Sequence, residues 1–234
     1  MNILSVRGLA VSIGERTIVD AIDLDLAPGE CLAIVGASGA GKSLSALSLL
    51  GLTPSGVRVS TNTFALGATA TPAIGMSGLL SGGSREREWR GIRGSRISLV
   101  SQDALVALDP LRRVGAEVAE PIEIHMRVSA AERAERVRSL LTRVAVPHPE
   151  VRARQRSGEL SGGLRQRALI ASALAGAPDI LIADEPTTAL DATVRMRVLT
   201  LLREIVDAGT SLILVSHDMA AVARVADRIA VMDA

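Results

Sequence analysis

The sequence predicts an α/β fold: a mainly parallel sheet, an antiparallel β flank and an inserted helical lobe. Three observations carry that expectation. Short apolar runs suited to strands buried on both faces recur at Cys31–Val35, Ile180–Ala183 and Leu212–Val215. Stretches of helical periodicity separate them, which is the alternation of a parallel sheet. The first run leads directly into Gly36-Ala37-Ser38-Gly39-Ala40-Gly41-Lys42-Ser43, which fits the phosphate-binding pattern G-x-x-x-x-G-K-[ST] at each fixed position.

That loop has the flanks its chemistry needs. Leu44, Leu47 and Leu50 follow at helical spacing, and Gly51 stands where the helix should stop. A buried strand, a glycine-rich turn and a helix start set a row of backbone N–H groups around one anion, aided by the helix dipole. Lys42 is expected on the outer phosphates and the Ser43 hydroxyl on Mg²⁺. Among the 26 lysines and arginines, Lys42 is the one lysine. An arginine fork does not replace the compact, strongly hydrated ammonium that such a site uses. A plain Gly/Ser turn is the competing reading, and it explains neither flank.

Composition bounds the rest. The chain has 234 residues, 48% hydrophobic and 22% charged, enough for one domain with a sizeable core. Phe64 and Trp89 are its aromatics, so that core is aliphatic. A net charge of +1 gives no sign of a nucleic-acid partner. The single cysteine, Cys31, excludes an internal disulfide and falls inside an apolar strand, where it serves as a small core residue. The N-terminus lacks a secretory pattern, and no run reaches the ~18 apolar residues of a membrane span. A cytosolic chain is expected, with any membrane role reached through a partner.

In chain order, Leu4–Val6 and Ala21–Leu26 read as strands, the second with clean alternation. Ala27–Glu30 is a turn. Residues 53–83 suggest irregular β structure on the flank of the sheet, with Val57–Val59 the best strand. Leu80-Ser81-Gly82-Gly83 precedes charged residues rather than an apolar helix, and reads as a loop. Arg96–Val100 is a strand running into Ser101-Gln102-Asp103. From Val114 to Val146 the pattern is helical: Ser129 and Glu132 form a capping box ahead of a stripe of Ala134, Val137, Leu140, Leu141 and Val144. Pro147-His148-Pro149 ends it. The arginines at 152, 154 and 156 read as a solvated face. The inserted lobe is placed over residues 110–160 of a domain covering 1–234.

Leu160-Ser161-Gly162-Gly163 then opens a second helix, with Ser161 as its expected cap and both glycines baring the N-terminal amides. Ile180–Ala183 ends in Asp184-Glu185. Two carboxylates at a strand's carboxyl end, in a chain with a phosphate loop, suit Asp184 as a water-bridged Mg²⁺ partner and Glu185 as the group that polarises a water. Thr187–Asp191 leads to a helix with an apolar face of Val194, Val198, Leu201, Leu202 and Ile205, stopped at Gly209. Leu212–Val215 ends in Ser216-His217-Asp218, where spacing alone leaves His217 open between surface loop and site. Ile229–Met232 is the closing strand.

In this order the motifs resemble the ATP-binding subunit of ABC transporters over nearly the whole chain. The resemblance implies an ATPase with ATP and Mg²⁺ bound by an ABC-type phosphate-loop core. It implies that His217 contacts the γ-phosphate and that Gln102 senses Mg²⁺ and the attacking water while facing a transmembrane permease. It further implies that Ser161, Gly162 and Gly163 complete the site of a second ATP-binding subunit, identical or paralogous, and that Asp191 is among the nucleotide-binding residues. Residues Arg96–Asp103, Ala107–Pro110 and Ala183–Asp191 look most like the dipeptide, oligopeptide and nickel importer group, whose partners include an extracytoplasmic solute-binding protein. The expected location is the cytoplasmic face of the membrane. Two other readings stand beside import: export, and a soluble ABC ATPase acting on nucleic acid or ribosomes. Against the latter, the segment between Gln102 and Leu160 is short and cysteines are absent from it. Three positions depart from the family pattern. Ile13 stands where an aromatic usually stacks on adenine, Ser101 where the importer group often has Phe, and the sequence stops at Ala234 where many members continue, which leaves open a fragment or one half of a longer protein.

Overall fold

The computed structural model describes residues 2–68, 71–75, 86–188 and 190–233. Its elements in chain order begin with β1 (Leu4–Ile13), β2 (Arg16–Leu26), β3 (Cys31–Gly36) and α1 (Lys42–Ser48). Then come β4 (Val57–Ser60), β5 (Thr63–Ala68), β6 (Thr71–Gly75), α2 (Glu86–Arg90), β7 (Ile97–Val100), α3 (Ala104–Ala107), α4 (Val114–His125) and α5 (Ala130–Arg143). The chain continues through α6 (Pro149–Arg152), a 3₁₀ turn at Ser157–Glu159, α7 (Gly162–Leu174), β8 (Ile180–Asp184), α8 (Ala192–Asp207), β9 (Ser211–Val215), α9 (Met219–Val225) and β10 (Arg228–Met232). Two compact units result: residues Met1–Gly91 with Ile205–Ala234, and residues Ile92–Glu204.

The first unit holds an antiparallel sheet in the order β2-β1-β5-β6, with β4 paired to the far half of β1. This is the predicted antiparallel flank. The first two strands run well past their predicted limits, because Gly14-Glu15 closes a hairpin that pairs Ile13 with Arg16. Alternation buries Leu4 and Val6 and, past a register shift, Leu9 and Val11. Phe64 meets Trp89 edge to face, with centroids 6.4 Å apart. Three parallel strands, β10, β3 and β9, form the other layer. Helix α1 packs on β1, β3 and β9. Its buried face is Ser45, Ala46 and Ser48, continued by Leu49 and Leu50, while Leu44 and Leu47 are half-buried. The leucine stripe read from spacing is therefore not the inner face. Small residues let the helix sit close to the strands, and Ser48 Oγ is satisfied by donating to Leu44 O at 2.7 Å.

The second unit is built around α7, which touches α3, α4, α5 and β7. Its strands β7 and β8 pair in parallel. The capping box of α5 forms as predicted: Ser129 Oγ accepts the Glu132 amide at 3.2 Å, and Glu132 accepts the Ser129 amide at 2.9 Å. Behind it Val137, Leu141 and Val144 are buried, Leu140 is half-buried and Ala134 faces solvent. Pro121 lies inside α4 and removes the amide that would reach Glu117 O. Ser172 of α7 fills that gap, its hydroxyl donating to Glu117 O at 3.0 Å. A local defect of one helix thus becomes a bond to its neighbour.

Four short helices escaped the sequence pattern, among them the five-residue α2. α3 and α9 run four and seven residues, too short for a periodicity to show, and Pro149 starts α6 as well as ending the segment before it. The Leu80–Gly83 stretch lies outside the described residues.

Candidate functional site

The phosphate loop is fixed by contacts that only glycine permits. At Gly36 a Cβ would stand 2.2 Å from the Met232 carbonyl oxygen of β10. Gly41 caps α1 at φ 87°, left-handed, and a Cβ there would meet Val19 of β2 at 2.5 Å. Between them Ala37, Ser38 and Gly39 form an exposed rim over buried Ala40. Lys42 is only 8% exposed. Its Nζ donates to Gly36 O at 2.9 Å and Ala37 O at 2.8 Å, two of the three bonds an ammonium can give. The loop so holds a desolvated positive charge at the start of a helix. The first intrahelical bond runs from the Ser45 amide to Gly41 O at 2.8 Å, which puts the Lys42 and Ser43 amides at the helix end.

Register brings His217 to the same edge of the sheet. β3 and β9 pair with Ile34 opposite Val215, and the Ser216 amide donates to Ile34 O at 3.2 Å. Gly36 and His217 each follow two residues later. Asp218 then caps α9, accepting from the Ala220 and Ala221 amides at 2.9 and 3.2 Å. The Ser216 hydroxyl accepts the Asp218 amide at 3.0 Å, so exposed His217 rides on a braced turn. Ile13 ends β1, two residues beyond Val11, which pairs with the Val19 that abuts Gly41. It is 47% exposed.

The second unit gathers the other predicted residues. With Val100 opposite Ala183, β7 and β8 deliver Gln102 and the pair Asp184-Glu185 from the same sheet edge. Gln102 is exposed. Glu185 sits at φ 49°, left-handed for a residue with a side chain, a conformation that surrounding structure must hold. Thr188 supplies part of that hold, its hydroxyl donating to Glu185 Oε2 at 2.9 Å. Asp191 accepts the Val194 amide at 2.9 Å and so starts α8.

At the second glycine motif the structure corrects one expectation. Ser161 stands at the cap position of α7, yet its hydroxyl accepts no first-turn amide. The two glycines also differ. Gly162 is open, whereas at Gly163 a Cβ would lie 2.4 Å from Val194 Cγ1. Gly163 is a packing glycine that seats α7 against the first turn of α8, the turn begun by Asp191. Sequence reasoning missed the roles of Val194 and Met232, which act through contacts distant in sequence, and of Thr188, whose bond to Glu185 spans three residues. Asp218, followed by two small residues at capping distance, was legible.

Among the described residues no group of three or more His, Cys, Asp and Glu side chains could hold a metal.

The sequence pattern of the family described as ABC transporter matches residues 19–188. The dipeptide transport ATP-binding protein of Bacillus subtilis is 41% identical over 99% of this chain, which covers 68% of that protein. The oligopeptide transport ATP-binding protein of Escherichia coli K12 is 38% identical over 98% of this chain and 66% of its own length. A solved ATP-binding cassette, dimeric and bound to ADP and Pi, superposes with a TM-score of 0.79 at 26% identity, covering 98% of this chain and 94% of that one.

Proposed function

The chain belongs to the ABC transporter family, and on that premise we propose that it is the ATP-hydrolysing subunit of a peptide importer. The observation that carries the reading is the phosphate loop: a buried Lys42 clasped by two loop carbonyls, between two positions closed to any residue but glycine. The names of the similar proteins, dipeptide and oligopeptide transporters, support a peptide as the solute.

In this reading the amides of residues Gly36–Ser43 wrap the β-phosphate and Lys42 follows the outer phosphates. Ser43, Gln102 and, through water, Asp184 are the residues that would hold Mg²⁺, which offsets charge on the phosphates when bound. Glu185 orients and polarises the attacking water, and His217 contacts the γ-phosphate. Ile13 faces the adenine without stacking on it. Residues 110–160 act as the inserted helical lobe. Among the described residues no helix is long and apolar enough to cross a membrane. The chain is placed at the cytoplasmic face through permease subunits that meet it near Gln102, and an extracytoplasmic solute-binding protein delivers the peptide. A second ATP-binding subunit supplies Ser161 and the Gly163 amide to the γ-phosphate held by Lys42, with Gly162 and Asp191 also among the nucleotide-binding residues, so ATP bridges the pair and hydrolysis releases it.

The test is assembly. Glu185→Gln protein should bind ATP, hydrolyse it slower by orders of magnitude, and dimerise, with itself or a paralogue, only when ATP is present. Adding Ser161→Arg should prevent the dimer while the monomer still binds ATP. Light scattering with and without nucleotide reads the outcome. A dimer that forms equally without ATP, or a monomer hydrolysing at full rate, would overturn the arrangement.

A further inference from the structure

The second unit contains a cavity of about 310 Å³ between the end of α5, α7 and α8. Three arginines line it, Arg143, Arg167 and Arg197, against one carboxylate, Glu204. Arg167 is 8% exposed, and no carboxylate lies within ion-pair distance of it among the described residues. Its guanidinium instead donates from Nε to Gly163 O at 3.3 Å and from Nη1 to Ala145 O at 2.5 Å. Burial, with nearby Arg197 adding to it, lowers its pKa from the usual arginine value. A buried cation beside like charge is costly unless something compensates it.

Clipping Ala145 to Gly163 accounts for Arg167 alone. It leaves unexplained why Arg143 and Arg197 converge on the same cavity. The lining carries three positive charges and one negative, a net of two, and guanidinium forks match phosphate oxygens in pairs. The remaining wall is largely apolar, with Val144, Met196 and Leu201, and the volume is at the small end of ligand pockets. We propose that this cavity binds a small phosphate monoester, its dianion held by Arg143, Arg167 and Arg197 and its organic body against Met196, Val144 and Leu201.

Phenyl phosphate is a suitable probe, a dianion on a compact apolar ring. Calorimetric titration of the full chain at pH 7.5 should show binding that survives Lys42→Ala, which removes the phosphate loop as a competing site. Arg197→Ala, at an exposed position, should weaken it about tenfold or more without changing the melting temperature. Inorganic phosphate should bind more weakly than phenyl phosphate, and affinity should fall as pH drops below about 6, where the second phosphate proton returns. No binding, binding lost in Lys42→Ala and kept in Arg197→Ala, or equal binding of the monoanion benzoate would each overturn the proposal.

Discussion

The phosphate loop and the Ser161 helix look alike on paper and differ in three dimensions. Each is a glycine-rich turn opening a helix. In the first, two glycines meet backbone and a β-strand, all three have positive φ, and the loop encloses a lysine. In the second, one glycine is open, the other packs on Val194, and the cap serine makes no cap. In the proposed arrangement the first is an anion site complete within its own unit. The second is a helix end with Ser161 and Gly162 exposed, which the proposed arrangement makes a half-site completed by another molecule. Glycine in a motif thus has two physical meanings, and the Cβ contact distinguishes them.

The sharpest break of this comparison is Lys42→Ala. It removes the clasped charge and should cost roughly a hundredfold or more in ATP affinity, read by nucleotide titration. Ser161→Ala should leave affinity of the monomer unchanged. Equal losses in both would erase the distinction between finished site and half-site.

Ile13→Tyr addresses the base end of the first region. Base–aromatic stacking is worth about 1–3 kcal/mol, so binding should tighten by roughly five- to a hundredfold, less what Ile13 already contributes. The site has room, because Ile13 is half-exposed at a strand end. No gain would assign the base to another residue.

The paired glycines of the second region come next. Gly163→Ala forces a methyl into Val194 and should destabilise by about 1–3 kcal/mol. Gly162→Ala meets nothing and should be neutral or stabilising by up to about 1 kcal/mol. Thermal unfolding separates them at about 2–4 °C per kcal/mol for a chain of this size. Similar shifts in both variants would remove the packing role given to Gly163.

The smallest effect tests the support beneath α7. Burial raises the Glu117 carboxyl pKa above its ordinary value, with Arg112 partly offsetting it. Its contribution to stability is therefore full below the unfolded-state pKa and is lost as pH rises through the folded one. Glutamine does not titrate, so the melting temperature of Glu117→Gln, relative to the natural protein, should improve from pH 4 to pH 7. A constant difference across that window would show that Glu117 ionises as freely folded as unfolded.

The sequence by itself determined the α/β class and the buried strands at Cys31, Ile180 and Leu212, and placed the candidate site residues at their carboxyl ends. Those are local facts: a strand buried on both faces must be a continuous apolar run, and a phosphate loop needs its residues in one stretch. It also marked the capping box at Ser129 and the helix stops at Gly51 and Gly209. Tertiary structure alone decided which face of α1 is inner, because closeness to a sheet favours Ser45 and Ala46 over leucine. It decided that Gly163 packs while Gly162 does not, and that Ser172 answers the bond Pro121 leaves open. The convergence of Arg143, Arg167 and Arg197, which come from three helices, was likewise invisible along the chain. Each of these depends on which atoms meet across long sequence separations, and no periodicity encodes that.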